Sequence, residues 1–387
     1  MKKKIIFLTS RFPYPLEKGD KLRAFHQIKG ISKKHNIYLI SINTESRIKY
    51  EHINTLKKYC KEVYILDTNK FSVVINLFKS FIRSEPLQTG YFYSIKNQKK
   101  INEIVKKIRP DWIYSQLIRT SKYTQNFENN FIDYMDAMSI GIKRRINNFP
   151  IILKPFVRRE FIITKRYESE IFNKFRKHSI ITQNDQNFID NPSRKKINII
   201  PNGVDTKYFF PKSKNKTPYD IIFIGNMSYP PNIEAAIFLC KKIKPLIDKD
   251  YKFCKILIGG TNPTKKIKNL ENEQIHVSGR VEDVRKLYSI GKVFVAPMFI
   301  GSGLQNKLLE AMAMGIPCIT TELANKALRA NKHQITIAKT EREFARLCIS
   351  LLKNKSLYNS FRDEGLKFIK KTYDWKKINN KLIDLFE

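Results

Sequence analysis

Short, almost unbroken apolar runs recur along this chain, each followed by a longer segment of helical period. KIIFLTS, NIYLISI, EVYILD, WIYSQL and NFIDYMD lie in the first half, and IITQN, DIIFIGN, KILIGG, IHVSG, VFVAPM and IPCIT in the second. Runs of that length bounded by turn residues mark strands buried on both faces. Between them, segments such as DKLRAFHQIKGISKKH repeat their apolar residues every three to four positions, as a helix packed on a sheet requires. The alternation predicts an α/β fold of βα units wound into parallel sheets. A length of 387 residues exceeds the size at which one core keeps growing, roughly 250 to 300 residues, so two doubly wound domains are expected. The sharpest linker is the polar stretch PKSKNKTP at 211–218.

The opening MKKKIIFLTSRF is too short in its apolar part for a secretory signal and reads as a first buried strand. No run approaches the roughly 18 apolar residues of a spanning helix. Cys60, Cys240, Cys254, Cys318 and Cys348 are scattered singly, which predicts a reduced, cytoplasmic chain without a structural metal. The net charge of +38 is compatible with an anionic partner or with biased use of Lys, Ile and Asn. Nucleic acid is not expected, because no surface of interleaved aromatic and basic residues and no known binding module is evident. Residues 70–83, KFSVVINLFKSFIR, mix Val73, Val74, Leu77, Phe78 and Phe81 with Lys70, Lys79 and Arg83. That pattern fits an interfacial helix on an anionic membrane surface, the inner face of the plasma membrane, and equally a plain core helix.

In doubly wound sheets ligands sit outside the carboxyl ends of the strands, against the next helices. No G-x-G-x-x-G and no Walker A pattern occurs there. After VFVAPMF, Gly301-Ser302-Gly303 leads a helix expected to start near Leu304, so free amides and the helix dipole make an anion-compatible turn. On that helix Leu304, Leu308, Ala311, Met312 and Gly315 form an apolar face, and Asn306, Lys307 and Glu310 a narrow polar stripe. A solvated i,i+3 ion pair would explain the charges. The wall of a binding site would too, with the carboxylate suited to adjacent hydroxyls and the lysine to phosphate. Gly279-Arg280-Val281 after IHVS suits a base held by backbone with Arg280 near phosphate, while Glu282 and Asp283 suit a helix start. In the first half, Asp20 reads as the N-cap of a helix from Lys21, preceded by Gly19. Asp133 and Asp136 after NFI supply a cap and a candidate acid, base or hydroxyl-binding group.

These residues resemble the retaining glycosyltransferases of family 4, with the GT-B fold of two Rossmann-like domains facing a cleft. "GSGLQNKLLEAMAMGIPCITT" is similar to the family's G-x-x-x-x-E-A-M-A-x-G-x-P-V-V segment, and "NIIPNGVDTKYFFP" to its interdomain segment. "VSGRVEDVRKLYSIGKVFVAP" and the tail "YDWKKINNKLIDLFE" extend the likeness to nearly the whole chain. The P-x-x-K-G-D-K-x-R loop and "IGNMSYPPN" look closer still to transferases of exosortase and surface-polysaccharide systems.

The resemblance implies an acceptor-binding domain at 1–185, with a C-terminal helix at 366–387 packing back on it, and a nucleotide-sugar domain at 186–365. Glu310 would hold ribose hydroxyls and Lys307 would lie near the diphosphate. Gly301, Ser302, Gly303, Leu304 and Asn306 would touch phosphate and donor sugar, and Gly279, Arg280 and Val281 would frame the base. Asn226 and Gly19 complete the donor-binding set, and Asp20, Lys21, Arg23 and Asp133 line the acceptor side. Asp136, near where many members carry a histidine, joins Lys307 and Glu310 as a catalytic candidate. The family's first glutamate, eight residues before the second, is replaced by Ser302. The expected reaction moves a sugar with retention from a UDP- or GDP-sugar to a glycan or lipid-linked acceptor in surface-polysaccharide synthesis. The leaving diphosphate would help deprotonate the acceptor, and neither cofactor nor metal is expected. A sugar-nucleotide epimerase or phosphorylase of the same fold is the alternative, with a basic nucleic-acid-binding protein behind it.

Overall fold

A computed structural model describes residues 1–44, 48–211, 217–301 and 303–387. The chain divides into two compact units, residues 1–201 with 378–387, and residues 202–377.

In the first unit the apolar runs become parallel strands β1 (Lys4–Thr9), β2 (Asn36–Asn43), β3 (Glu62–Asp67), β4 (Trp112–Gln116), β5 (Asn130–Asp133), β6 (Lys177–Ile180) and β7 (Asn198–Ile199). They lie in the order β3-β2-β1-β4-β5-β6-β7. The order reverses between β1 and β4, where Ile5 to Leu8 pair in parallel with Trp112 to Ser115. Every residue of β4 and β5 is buried, as expected of strands covered by helices on both faces.

The second unit repeats the plan with β8 (Tyr219–Ile224), β9 (Ile256–Gly259), β10 (Ile275–Gly279), β11 (Gly291–Ala296), β12 (Cys318–Thr320) and β13 (Thr336–Ile337), in the order β10-β9-β8-β11-β12-β13. Its core runs from Ile221, Phe223 and Ile258 through Phe294 and Val295 to Leu308, Met312 and Phe344. The order reverses between β8 and β11, and ligands of such sheets bind at the carboxyl ends flanking that reversal.

The division falls at Pro201, later than the expected boundary after residue 185. The IITQN run does not open the second sheet. Ile180 ends β6, which pairs with β5 and β7 of the first sheet, so its backbone hydrogen bonds place it there. The returning segment is also shorter than 366–387. Residues 366–372 continue the Lys355–Thr372 helix of the second unit, and only 378–387 belong to the first. There Phe386 stacks obliquely on Tyr114 and Phe131, with ring centroids 6.0 and 5.5 Å apart. The segment Asn202-Gly203-Val204 is pinned within the second unit. Val204 N donates to Tyr373 O at 2.8 Å, and a Cβ on Gly203 would lie 2.8 Å from that same oxygen.

The five cysteines are buried and unpaired. Among the described residues, no helix is long and apolar enough to cross a membrane.

Candidate functional site

The turn after β8 is built by close backbone approach. Gly225 N donates to Gly259 O at 3.0 Å. Gly260 adopts φ +128°, and a Cβ there would sit 1.8 Å from Gly225 O, so only glycine admits this contact. Asn226 follows, exposed. Its side-chain oxygen accepts from Ser228 N at 3.0 Å and Ser228 Oγ at 2.8 Å, and its carbonyl accepts from Asn232 Nδ2 at 2.9 Å. Asn226 therefore shapes the turn first. Asn232 lies in the first turn of the Pro230–Phe238 helix, buried to 4% exposure.

Beyond β11 the chain reaches Gly301, at φ +94°, and Gly303, whose carbonyl accepts from Gln305 Nε2 at 3.0 Å. Ser302 lies outside the described residues, as do residues 212–216 of the expected linker. The helix spans Asn306–Ala313 with Gln305 before it, so Leu304 belongs to the turn and packs against the core. Leu308, Leu309, Ala311, Met312 and Ala313 are buried, which leaves Asn306, Lys307 and Glu310 as the partly open stripe. Asn306 Oδ1 accepts from Asn202 Nδ2 at 3.2 Å.

The two charges on this stripe do not pair with each other. Lys307 Nζ donates to Asn232 Oδ1 at 2.5 Å and Gln305 Oε1 at 3.3 Å, and stands 5.4 Å from the Phe223 ring centroid. Glu310 accepts from Tyr288 Oη at 2.8 Å. The solvated i,i+3 ion pair is thus replaced by two separate anchorages, because Asn232 and Tyr288 draw the side chains apart. Burial raises the Glu310 carboxyl to about 7, although the Tyr288 hydrogen bond and Lys307 oppose the rise. Burial likewise lowers the Lys307 ammonium to about 8, with Glu310 opposing. Both retain an edge to solvent, which limits these shifts. A lysine and a carboxyl perturbed side by side, at the strand ends where an α/β sheet binds ligands, mark a candidate site.

Nearby, β10 ends at Gly279, with φ +65° and no heavy atom within 4 Å of where a Cβ would stand. Arg280 is exposed and Val281 packs on the core. Asp283 engages Arg285 at 2.7 Å and is held at about 2 chiefly by that hydrogen bond. It precedes the Arg285–Ser289 helix, so it serves the helix start.

In the first unit the expected acceptor-side residues separate into two groups. Arg23 and Asp133 are fully buried and joined by two hydrogen bonds, Nε to Oδ2 at 2.7 Å and Nη2 to Oδ1 at 3.0 Å, with Ser179 Oγ donating to Asp133 at 2.9 Å. This pair holds the interior and replaces the expected acceptor contacts, since neither group reaches solvent. Asp20 is not an N-cap. The helix runs Gly19–Ile31 after Lys18, and the Asp20 carboxylate is occupied by Arg11 at 2.8 Å and Arg119 at 3.7 Å. Gly19 is exposed at the start of this helix, and Lys21 is 8% exposed.

Arg11 and Arg119, absent from the sequence-based set, flank Asp20 at the ends of β1 and β4. Neither carries a motif, and only the sheet brings them together. Asp136 is exposed beyond β5. The surrounding protein pushes its carboxyl up toward about 6, Asp185 adding to the rise and Arg119 opposing it, while its open face to solvent limits the effect. The residue before it, Met135, has φ +61°, and Leu117 after β4 has φ +67°. Such backbone at strand ends is held by its surroundings at some cost. Tyr288 and Asn232, the anchors of Glu310 and Lys307, were likewise not singled out from the sequence.

Residues 218–354, most of the second unit, match the family described as Glycosyl transferases group 1. An uncharacterized 44.6 kDa protein in the cps region of Klebsiella pneumoniae is 24% identical over 392 residues, covering 97% of each chain. Two solved structures are similar over the whole length. Anabaena Alr3699/HepE, in complex with UDP and glucose, has a TM-score of 0.69 at 12% identity, covering 99% of each chain. S. aureus TarM, in a complex with Fondaparinux, alpha-GlcNAc-glycerol and UDP, has a TM-score of 0.69 at 13% identity, covering 100% of each. The fold is therefore GT-B, and the match to the group 1 glycosyltransferase family lies in its second half.

Proposed function

We propose that this chain is a retaining glycosyltransferase that takes its sugar from a UDP- or GDP-sugar held by the second unit. The acceptor is a glycan or lipid-linked glycan, and the product belongs to a cell-surface polysaccharide. The observation that carries this reading is the pair Lys307 and Glu310, drawn apart by Asn232 and Tyr288 beside a glycine turn. Glu310, oriented by Tyr288, suits two adjacent ribose hydroxyls, whose hydrogens a carboxylate accepts in pairs. Lys307, poised beside the turn after β8, suits the diphosphate. Arrival of that anion restores its full charge, because an opposite charge favours the protonated amine.

The Alr3699/HepE and TarM complexes, which hold UDP in proteins of the same fold, support the nucleotide assignment. The Klebsiella relative, encoded in a cps region, supports the polysaccharide context. In this reading the protein acts by positioning and by stabilising charge on the leaving diphosphate, with Lys307 and backbone amides in place of a metal. Asp136 and the Arg11, Asp20 and Arg119 cluster stand at the strand ends of the first unit, where the acceptor would bind. Exosortase-type systems remain the proposed setting on the strength of the first-unit loop and the turn at Asn226.

The test is a thermal-shift panel of UDP-, GDP-, CMP- and ADP-sugars on the wild type and Glu310→Ala. One nucleotide class should raise the wild-type Tm and leave the variant unmoved. If no nucleotide distinguishes the two proteins, the site assignment fails.

A further inference from the structure

The helix Lys70–Ile82 is turned inside out for a core helix. Phe71, Val74, Phe78 and Ile82 face solvent with exposures of 71, 65, 66 and 65%, and Ile75 and Phe81 extend the stripe at 38 and 40%. Its small polar residues face inward. Ser80 is buried, Asn76 Nδ2 donates to Tyr93 O at 2.6 Å, and Gly90 of the neighbouring Leu87–Phe92 helix leaves room for the Ser80 hydroxyl. An amphipathic helix of a soluble core points the other way. The tight contact at Gly90 fixes the orientation, so the apolar stripe is held outward.

A second exposed apolar segment adjoins it. Ile151, Ile152 and Leu153 are 81, 88 and 46% exposed, just before the Lys154–Phe172 helix. Phe156 of that helix stacks on Phe81 with ring centroids 5.8 Å apart. Arg159 seals the junction, its guanidinium carbon 4.3 Å from the Phe81 centroid and its Nη2 donating to Phe81 O at 2.7 Å. The two segments are thus one surface of the first unit. A contiguous apolar face of this kind marks an interaction site.

Charge identifies the occupant. Neither residues 69–84 nor residues 137–159 contain an Asp or Glu, while exposed cations border both, among them Lys79, Arg83, Arg144, Arg145 and Arg158. We infer that this surface docks on an anionic lipid bilayer, with Phe71, Phe78, Ile82, Ile151 and Ile152 entering the headgroup and acyl boundary and the arginines and lysines meeting lipid phosphates. A second copy of the chain would set the same cations face to face, which argues against self-association. The inference stands on the first unit alone and does not depend on the donor-binding reading.

Flotation of the full chain with vesicles of neutral phosphatidylcholine, and of phosphatidylcholine with phosphatidylglycerol, tests it. The wild type should float with the anionic vesicles only, less so in high salt. The Phe78→Ser/Ile152→Ser variant should bind at least tenfold more weakly, and Arg144→Glu/Arg145→Glu should lose the preference for anionic lipid. Circular dichroism and Tm, unchanged in these surface variants, separate lost docking from lost fold. The inference is overturned if the folded wild type stays at the bottom with anionic vesicles, or if the apolar variant floats as well as the wild type. It is equally overturned if sedimentation shows a dimer that Phe78→Ser/Ile152→Ser dissolves.

Discussion

Tyr288 Oη donates to the Glu310 carboxylate at 2.8 Å, and Lys307, one turn earlier on the same helix, turns instead to Asn232 at 2.5 Å. This divergence keeps the two charges from neutralising each other and leaves each with an open edge. It also makes the pair testable piece by piece.

Tyr288→Phe removes the donor that orients Glu310 while leaving the ring in the core. Nucleotide affinity should fall by roughly tenfold, the size of one hydrogen bond to a charged group. Isothermal titration with the nucleotide found in the thermal-shift panel measures it, and unchanged affinity would separate Glu310 from ribose binding.

The pair should also set a pH window. Glu310 rises from an ordinary value of 4.5 to about 7, so its protonated form favours folding below about 4.5 and that contribution is lost as pH climbs through 7. Lys307 falls from 10.5 to about 8, so its neutral form favours folding above about 10.5 and that contribution is lost as pH drops through 8. Near pH 7.5 the fold carries both groups with little of either benefit. The Lys307→Met/Glu310→Gln variant should therefore melt at a higher temperature than the wild type at that pH, while losing nucleotide binding. A lower Tm would contradict the burial argument.

For catalysis the same shifts predict a bell-shaped dependence of kcat/KM, rising through about 7 as Glu310 ionises and falling through about 8 as Lys307 loses its proton. Glu310→Gln, in whatever activity it keeps, should lose the acidic limb.

Asp133→Ala strands Arg23 in the interior. Breaking a buried ion pair on one side costs about 3 to 5 kcal/mol, readable as a lower midpoint in urea unfolding. Arg23→Met added to it should recover part of that loss. If Asp133→Ala keeps full stability and loses acceptor binding instead, Asp133 belongs to the acceptor site after all.

Transfer should proceed unchanged in excess EDTA, since Lys307 and backbone amides are assigned the diphosphate charge. An absolute requirement for Mg or Mn would overturn that assignment.

The strands were legible because a strand buried on both faces must be apolar along most of its length, and the runs KIIFLTS and WIYSQL became β1 and β4, buried at every position but Lys4. The helix bearing Lys307 and Glu310 was legible for the same reason, through its buried Leu308, Leu309 and Met312. What local pattern cannot carry is partnership. Arg23 and Asp133 stand 110 residues apart and read as polar surface residues until the sheet closes them into one buried pair. The run IITQN has no local mark of which sheet it joins, because the deciding hydrogen bonds come from β5 and β7. The helix at 70–82 showed its amphipathic period in the sequence and left its direction open. Period records that a helix has two faces, whereas the close contact of Ser80 with Gly90 decides which one meets water. The sequence by itself determined the paired α/β architecture and the polar stripe on the glycine-led helix. Tertiary contacts decided which charges are anchored apart, which are sealed in the core, and which apolar face is left outside.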